Sequence, residues 1–242
     1  MSKAYKGGLC AYCCEAEATT ADHVIARGFF PAEKRGNLPK VGACRKCNND
    51  KSTLEHALTA VMPFGAQHSG AAAALAGVEP KLAKNQRLHR WLAEGVRYIL
   101  RSVNGSPWRQ EMTVPIEGRD LERLAEFIVK GLARHHWNLH VGHGHFVRAS
   151  FLNEEGRMRF DPFFRGKVRD RVYADLGDGA FTYEGIQSDE NPEITLWQMS
   201  LYRAEVEGDP KALGQRASII YGVTVPAGAK AAQMLAQILA NP

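Results

Sequence analysis

Long apolar runs are missing from this sequence. The longest, Ala71 to Ala76 with Gly77 behind it, falls far short of the ~20 residues a helix needs to cross a bilayer. The opening, MSKAYKGG, lacks the apolar centre of a secretory signal. Cysteine is scarce as well: five residues, an odd count, among 242. A secreted disulfide scaffold is normally smaller and denser in thiols. No internal repeat is present, and no low-complexity tract beyond the alanines. Together these absences exclude a membrane-spanning helix and a disulfide framework, and the expected compartment is a reducing cytoplasm.

What the chain does carry is a modest basic excess, Lys+Arg 31 against Asp+Glu 26 for a formal charge of +5, on an ordinary globular composition of 45% hydrophobic and 24% charged residues. Such an excess fits a nucleic-acid partner without requiring one. The length suits one large domain or two modest ones.

Residues 1 to 62 are rich in Cys, Gly, Lys and turn formers, and periodicity begins only near their end. Leu54, Leu58 and Val61 recur at helical spacing after Ser52, and Met62-Pro63-Phe64-Gly65 closes that helix. An alanine- and glycine-rich stretch, 69 to 80, reads as a loosely packed helix or connector. Leu88, Trp91, Leu92, Val96 and Ile99 predict an amphipathic helix over roughly 84 to 101, broken by Ser102 to Pro107. A further helix runs from Asp120 to about His136. The last third has the β-branched and aromatic bias of strands at Phe146–Phe151, Phe181–Glu184, Ile194–Tyr202 and Ile219–Val225, with a turn at Gly177-Asp178-Gly179 and a final helix from Lys230 to Leu239. The expected fold class is α+β: residues 1–62, a helical connector 63–118, and a C-terminal α+β domain 119–242 ending in an antiparallel sheet. Trp91, Trp137 and Trp197 fall in apolar patterns and are expected in the core.

Chemistry concentrates in the first fifty residues. Cys10-x2-Cys13 and Cys44-x2-Cys47 form two CxxC knuckles about thirty residues apart, and four thiolates so spaced make a tetrahedral structural zinc site. Cys14 offers an alternative register; Cys13 is preferred because its x2 spacing matches the second knuckle. Neither pair sits in the strand–CxxC–helix setting of a redox motif. Between the knuckles lie Asp22-His23-Val24-Ile25 and Asn37-Leu38, and Asn48-Asn49 follows the last cysteine. A carboxylate, an imidazole and carboxamides tied into one segment are the groups that metal-assisted phosphodiester hydrolysis requires.

The order and spacing of Asp22-His23-Val24-Ile25, Asn37-Leu38 and Cys44-Arg-Lys-Cys47-Asn48-x2-Lys51 resemble the HNH (ββα-metal) endonuclease family in its four-cysteine, zinc-containing branch, the layout of endonuclease VII. The resemblance covers about fifty of the 242 residues. It implies a zinc-stapled ββα-metal domain over 1–62. By position Asp22 resembles the family's metal-binding carboxylate, His23 its general base, and Asn37 the residue that holds the loop and orients the histidine. Asn48 would be the second protein ligand, with Asn49 as its neighbouring alternative. Ala26 departs from the family's usual proline. A hard ion such as Mg²⁺ or Mn²⁺ favours oxygen ligands of this kind. Arg27, Arg45, Lys46 and Lys51 lie close in sequence and are candidates for holding the phosphate backbone.

His135, His136, His140, His143 and His145 crowd into one run. With no Cys, Asp or Glu inside it, a structural or phosphate-contacting role outweighs a second metal site. The expectation is a divalent-metal-dependent HNH endonuclease acting on DNA, and its rival is a non-catalytic zinc module that binds nucleic acid or a partner protein.

Overall fold

Thr20–His23 (β1) and Lys40–Ala43 (β2) pair antiparallel in the computed structural model, which describes residues 5–64, 66, 68–102, 107–202 and 219–239. Two short 3₁₀ turns, Arg27–Phe29 and Ala32–Lys34, fill the loop between them. Helix α1, Arg45–Val61, follows directly and gives the chain a ββα-like start. The helix begins earlier than its apolar periodicity suggests, because Cys44 is its N-cap and accepts an N–H from Cys47.

The connector holds α2 (Ser69–Ala76), α3 (Val78–Lys84) and α4 (Gln86–Gly95), then a two-stranded ribbon of β3 (Arg97–Arg101) and β4 (Arg109–Thr113). The helix expected over 84 to 101 is therefore half helix and half strand. It stops at Gly95, where a side chain would meet Pro115 Cβ at 2.3 Å. Beyond it the Arg-Tyr-Ile-Leu run pairs with β4 instead of continuing the spiral. The pattern misled because Val96 and Ile99 keep the helical period; β-branched and aromatic residues satisfy strand pairing as well. Trp91 is correspondingly exposed, not core.

Helix α5, Gly118–Trp137, lies against a five-stranded antiparallel sheet built from β5 (His145–Phe151), β6 (Asp170–Leu176), β7 (Phe181–Gln187), β8 (Thr195–Leu201) and β9 (Ile219–Pro226), in the order β5-β9-β8-β7-β6. Helix α6 (Glu154–Phe160) and α7 (Lys230–Leu239) complete the chain. The four expected strands, the turn and the final helix are present, and α6 and β6 are further elements beyond them. Alternation divides the sheet's two faces. Trp197 and Met199 pack with α5 in one core, whereas Leu196, Tyr221 and Val223 pack with Phe160 and Leu239 in another.

The first core does not stop at the sheet. It runs through Leu124, Ile128 and Leu132 of α5 to Val24, Ile25, Leu54 and Leu58 around the ββα-like start. A side chain at Gly131 would meet Val24 Cγ1 at 2.7 Å, so only glycine lets α5 approach this closely. Across the same contact Tyr202 donates its hydroxyl to Phe29 O at 3.0 Å. No helix among the described residues is long and apolar enough to cross a membrane.

His136, on the last turn of α5, hydrogen bonds the Tyr183 hydroxyl at 2.8 Å and lies near Trp197. Burial lowers its pKa from 6.5 to about 4, helped by His135. The folded protein thus takes up this proton less readily than the unfolded chain. The stabilisation is complete above pH 6.5 and is lost as pH falls from there toward 4. Urea unfolding across that range should show the loss, and His136→Gln, which keeps a hydrogen-bonding group, should flatten the slope.

Candidate metal centre

The first knuckle is a tight antiparallel turn. Leu9 bridges Glu17, Cys10 N–H donates to Ala16 O at 2.9 Å, and Ala11 N–H donates to Gly42 O of β2 at 2.9 Å. The second knuckle spans the end of β2 and the first turn of α1, so Cys44-x2-Cys47, against the expectation from sequence, does lie between a strand and a helix; it joins Cys10 and Cys13 rather than standing as an isolated pair. Their meeting brings the sulfurs of Cys10, Cys13, Cys44 and Cys47 within 4.8 Å of one another. Among the described residues this is the only grouping of three or more Cys, His, Asp or Glu side chains with metal-ligand spacing. Cys14 is not part of it: its backbone is left-handed, at φ 56°, and its side chain abuts Gly142. The x2 register with Cys13 therefore holds. The histidine run assembles no such group, and His143 instead faces Glu15 at 3.1 Å.

Four thiols this close cannot all ionise unaided. Burial and neighbouring thiols push Cys47 up. For Cys13 burial acts upward too, but the Ala16 and Glu15 amides and the Cys10 and Cys47 thiols pull it down to about 7. Amide N–H groups of Tyr12 and Cys47 each donate to a cysteine sulfur at 3.4 Å. A divalent soft-borderline ion removes the repulsion and completes a tetrahedral set, so the four-cysteine site fits zinc.

Seven residues along α1 from Cys44 stands Lys51, fully buried. Its ammonium lies 3.0 Å from Asp22 Oδ2, donates to His23 O at 2.7 Å, and pairs with Glu55. Tyr12 donates its hydroxyl to the same Asp22 oxygen, and burial beside that carboxylate keeps the phenol protonated. Lys51 is therefore not a surface contact for phosphate, as its position in sequence suggested. A buried ammonium needs counter-charges within reach, and Lys51 finds them in Asp22 and Glu55.

Asp22 and His23, at the end of β1, line a cleft of about 660 Å³ between the 3₁₀ turns and helices α1 to α3. Arg27 lines it as well, and α1 adds Ser52, Glu55, His56 and Thr59. From α3 comes Lys81, hydrogen bonded to Thr59, whose pKa burial lowers to about 8 against the pull of Glu55. Burial, then Lys40 and Arg27, lowers the pKa of His23 and leaves its imidazole neutral near pH 7. Both contacts on Asp22 fall on Oδ2. Glu55, His56 and Lys81 escaped the sequence reading; the i+4 and i+5 positions from Lys51 on the helix were the available signal.

Asn48 donates its amide N–H to Thr20 Oγ1 at 3.3 Å, two residues before Asp22 on the same strand face. Asn49 is exposed on α1. Asn37 is exposed in the turn ahead of β2, and no hydrogen bond joins it to His23. Arg45 and Lys46 are exposed on the first turn of α1, with Lys46 paired to Asp50 at 2.7 Å.

Elemental analysis should find one zinc per chain in the wild type and in Cys14→Ser, and a loss of zinc with unfolding of the N-terminal segment in Cys44→Ser. Lys51→Met leaves Asp22 and Glu55 facing each other without their cation. Denaturant unfolding should register a destabilisation of about 3–5 kcal/mol.

No protein-family model, no curated protein and no solved structure matches this chain. Its own residues thus define the site: a four-cysteine centre able to hold zinc, seated in a ββα-like start.

Proposed function

We propose that this chain is a divalent-metal-dependent endonuclease of the HNH type that hydrolyses DNA phosphodiester bonds. The observation that carries the reading is the shared cleft: Asp22 and His23, adjacent on β1, open onto the same cavity as Arg27, Glu55, His56 and Lys81.

Carboxylate and amide oxygens are the donor type a hard divalent ion favours, although Asn48 is not among the residues lining the cleft. Asp22 Oδ1 makes no hydrogen bond among the described residues, and the tie from the Asn48 amide nitrogen to Thr20 leaves its Oδ1 available. Held by Asp22 and Asn48, Mg²⁺ or Mn²⁺ would neutralise charge on the scissile phosphate and on the departing oxygen. The chain's own groups do the rest. His23, kept neutral, takes a proton from water as the water oxygen bonds to phosphorus. The bond to the 3′-oxygen breaks, and that oxygen is protonated from solvent, leaving 5′-phosphate and 3′-hydroxyl ends. Arg27 and Lys81 meet the phosphate oxygens, and Arg45 and Lys46 extend the basic surface along α1.

One observation favours a second reading. The Lys51 ammonium already sits against Asp22, as it would in a zinc module that binds nucleic acid or a protein without cutting.

Plasmid nicking with Mg²⁺ or Mn²⁺ separates the two. The nuclease should lose 10²–10⁴-fold in rate on His23→Ala while keeping its zinc and fold. Nicking that is equal in both proteins, or absent from both, would leave the binding module as the function.

A further inference from the structure

The sequence from Lys81 to Thr113 carries seven Lys or Arg and two Glu, a net +5 that equals the formal charge of the entire chain. Outside this segment, positive and negative residues balance. The segment begins at the cleft wall, with Lys81, and continues through α4 into the β3–β4 ribbon.

Its surface is unusual in a second way. Leu88 and Leu92 are the buried stripe of α4, so Arg87, Arg90, Trp91 and Glu94 share its outer face at helical spacing, and all four are exposed. Arg87 and Arg90 form no ion pair among the described residues. In the ribbon the register sets Tyr98 opposite Met112 and Leu100 opposite Gln110. Strand alternation places Tyr98, Leu100, Gln110 and Met112 on one face, and Trp108, two residues before Gln110, continues it. Tyr98 is 66% exposed, Leu100 68% and Trp108 72%. None of these side chains belongs to any of the three apolar clusters of the protein. An isolated two-stranded ribbon is marginal in water, and this one displays aromatic rings to solvent beside a basic helix.

We propose that α4 and the β3–β4 ribbon form an arm that grips single-stranded nucleic acid and leads it to the cleft; the proposal rests on the nuclease reading and names the form of substrate. Charge complementarity chooses the occupant. A polyanionic backbone is matched by Arg87 and Arg90, while Tyr98, Trp108 and Trp91 offer flat faces on which unpaired bases stack. A second copy of the chain would bring the same arginines against one another. Paired bases in a duplex would leave the rings without a stacking partner.

The test is fluorescence anisotropy of the full-length, zinc-loaded protein with a labelled single-stranded oligonucleotide and with the matching duplex, in the absence of added divalent ions. Binding is thereby read separately from cutting. Tyr98→Ala/Trp108→Ala should weaken single-strand binding about tenfold or more, with a smaller effect on duplex. Arg87→Ala/Arg90→Ala should lower the salt slope by about 0.7 per lost phosphate contact. All four positions are exposed, so zinc content and circular dichroism should not change. Unchanged single-strand affinity, or an equal loss on both substrates, overturns the arm. So does sedimentation showing a wild-type dimer that the aromatic variant dissociates. Failure of the nuclease reading alone looks different: the oligonucleotide binds through the arm, and no divalent ion makes the protein cut.

Discussion

At the joint between β1 and α1 a lysine ammonium is sealed from water, and the geometry around it follows from that burial. Lys51 has Asp22, Glu55 and the His23 carbonyl as partners. A buried cation without them would cost several kcal/mol. The helix must therefore lie on the strand at one rotation about its axis. That rotation turns Leu54 and Leu58 into the core and presents Glu55, His56 and Thr59 to the cleft. One to two turns earlier Cys47 and Cys44 anchor the same helix in the four-cysteine cluster. One helix is thus held at two points of different chemistry, sulfur at its start and a buried ion pair in its middle.

Tyr12 couples the metal centre to the cleft. It follows Cys10 by two residues, donates to Asp22, packs edge-on against Phe127 at 5.2 Å, and receives Lys130 Nζ at its carbonyl, 3.1 Å away. The four-cysteine cluster, the carboxylate and the position of α5 therefore meet at one residue, through its main chain as well as its ring. The glycine contact between α5 and Val24 extends the linkage to the sheet. The C-terminal sheet is the surface against which the ββα-like start is packed, and the shared core gives that packing its strength.

Charge is distributed just as unevenly. The basic excess of the chain lies in the segment from Lys81 to Thr113, the part with the most exposed aromatic residues. Its α3 end shapes the cleft, and its far end stands clear of every apolar cluster. The groups lining the cleft and the exposed basic and aromatic groups are thus drawn from neighbouring parts of the chain, though they sit on different elements.

Local chemistry was legible in the chain before folding. CxxC spacing names its ligands because a metal knuckle closes over four residues, and alternation names the sheet strands because the side-chain period of a strand is short. The glycines around Asp178 mark their turn through positive φ. The expectations that went astray depend on distant partners. Val96 and Ile99 keep helical period, yet β4 and Pro115 claim their segment for a strand. Lys51 looks like any solvated lysine until Asp22, twenty-nine residues earlier, lies 3.0 Å away. The choice of Cys13 over Cys14, by contrast, was already favoured by spacing, and the left-handed backbone of Cys14 agrees with it. Ligand types and strand periods are written in short windows of sequence. Whether a charge ends in water or in the core depends on which segments meet, and only the assembled fold decides that.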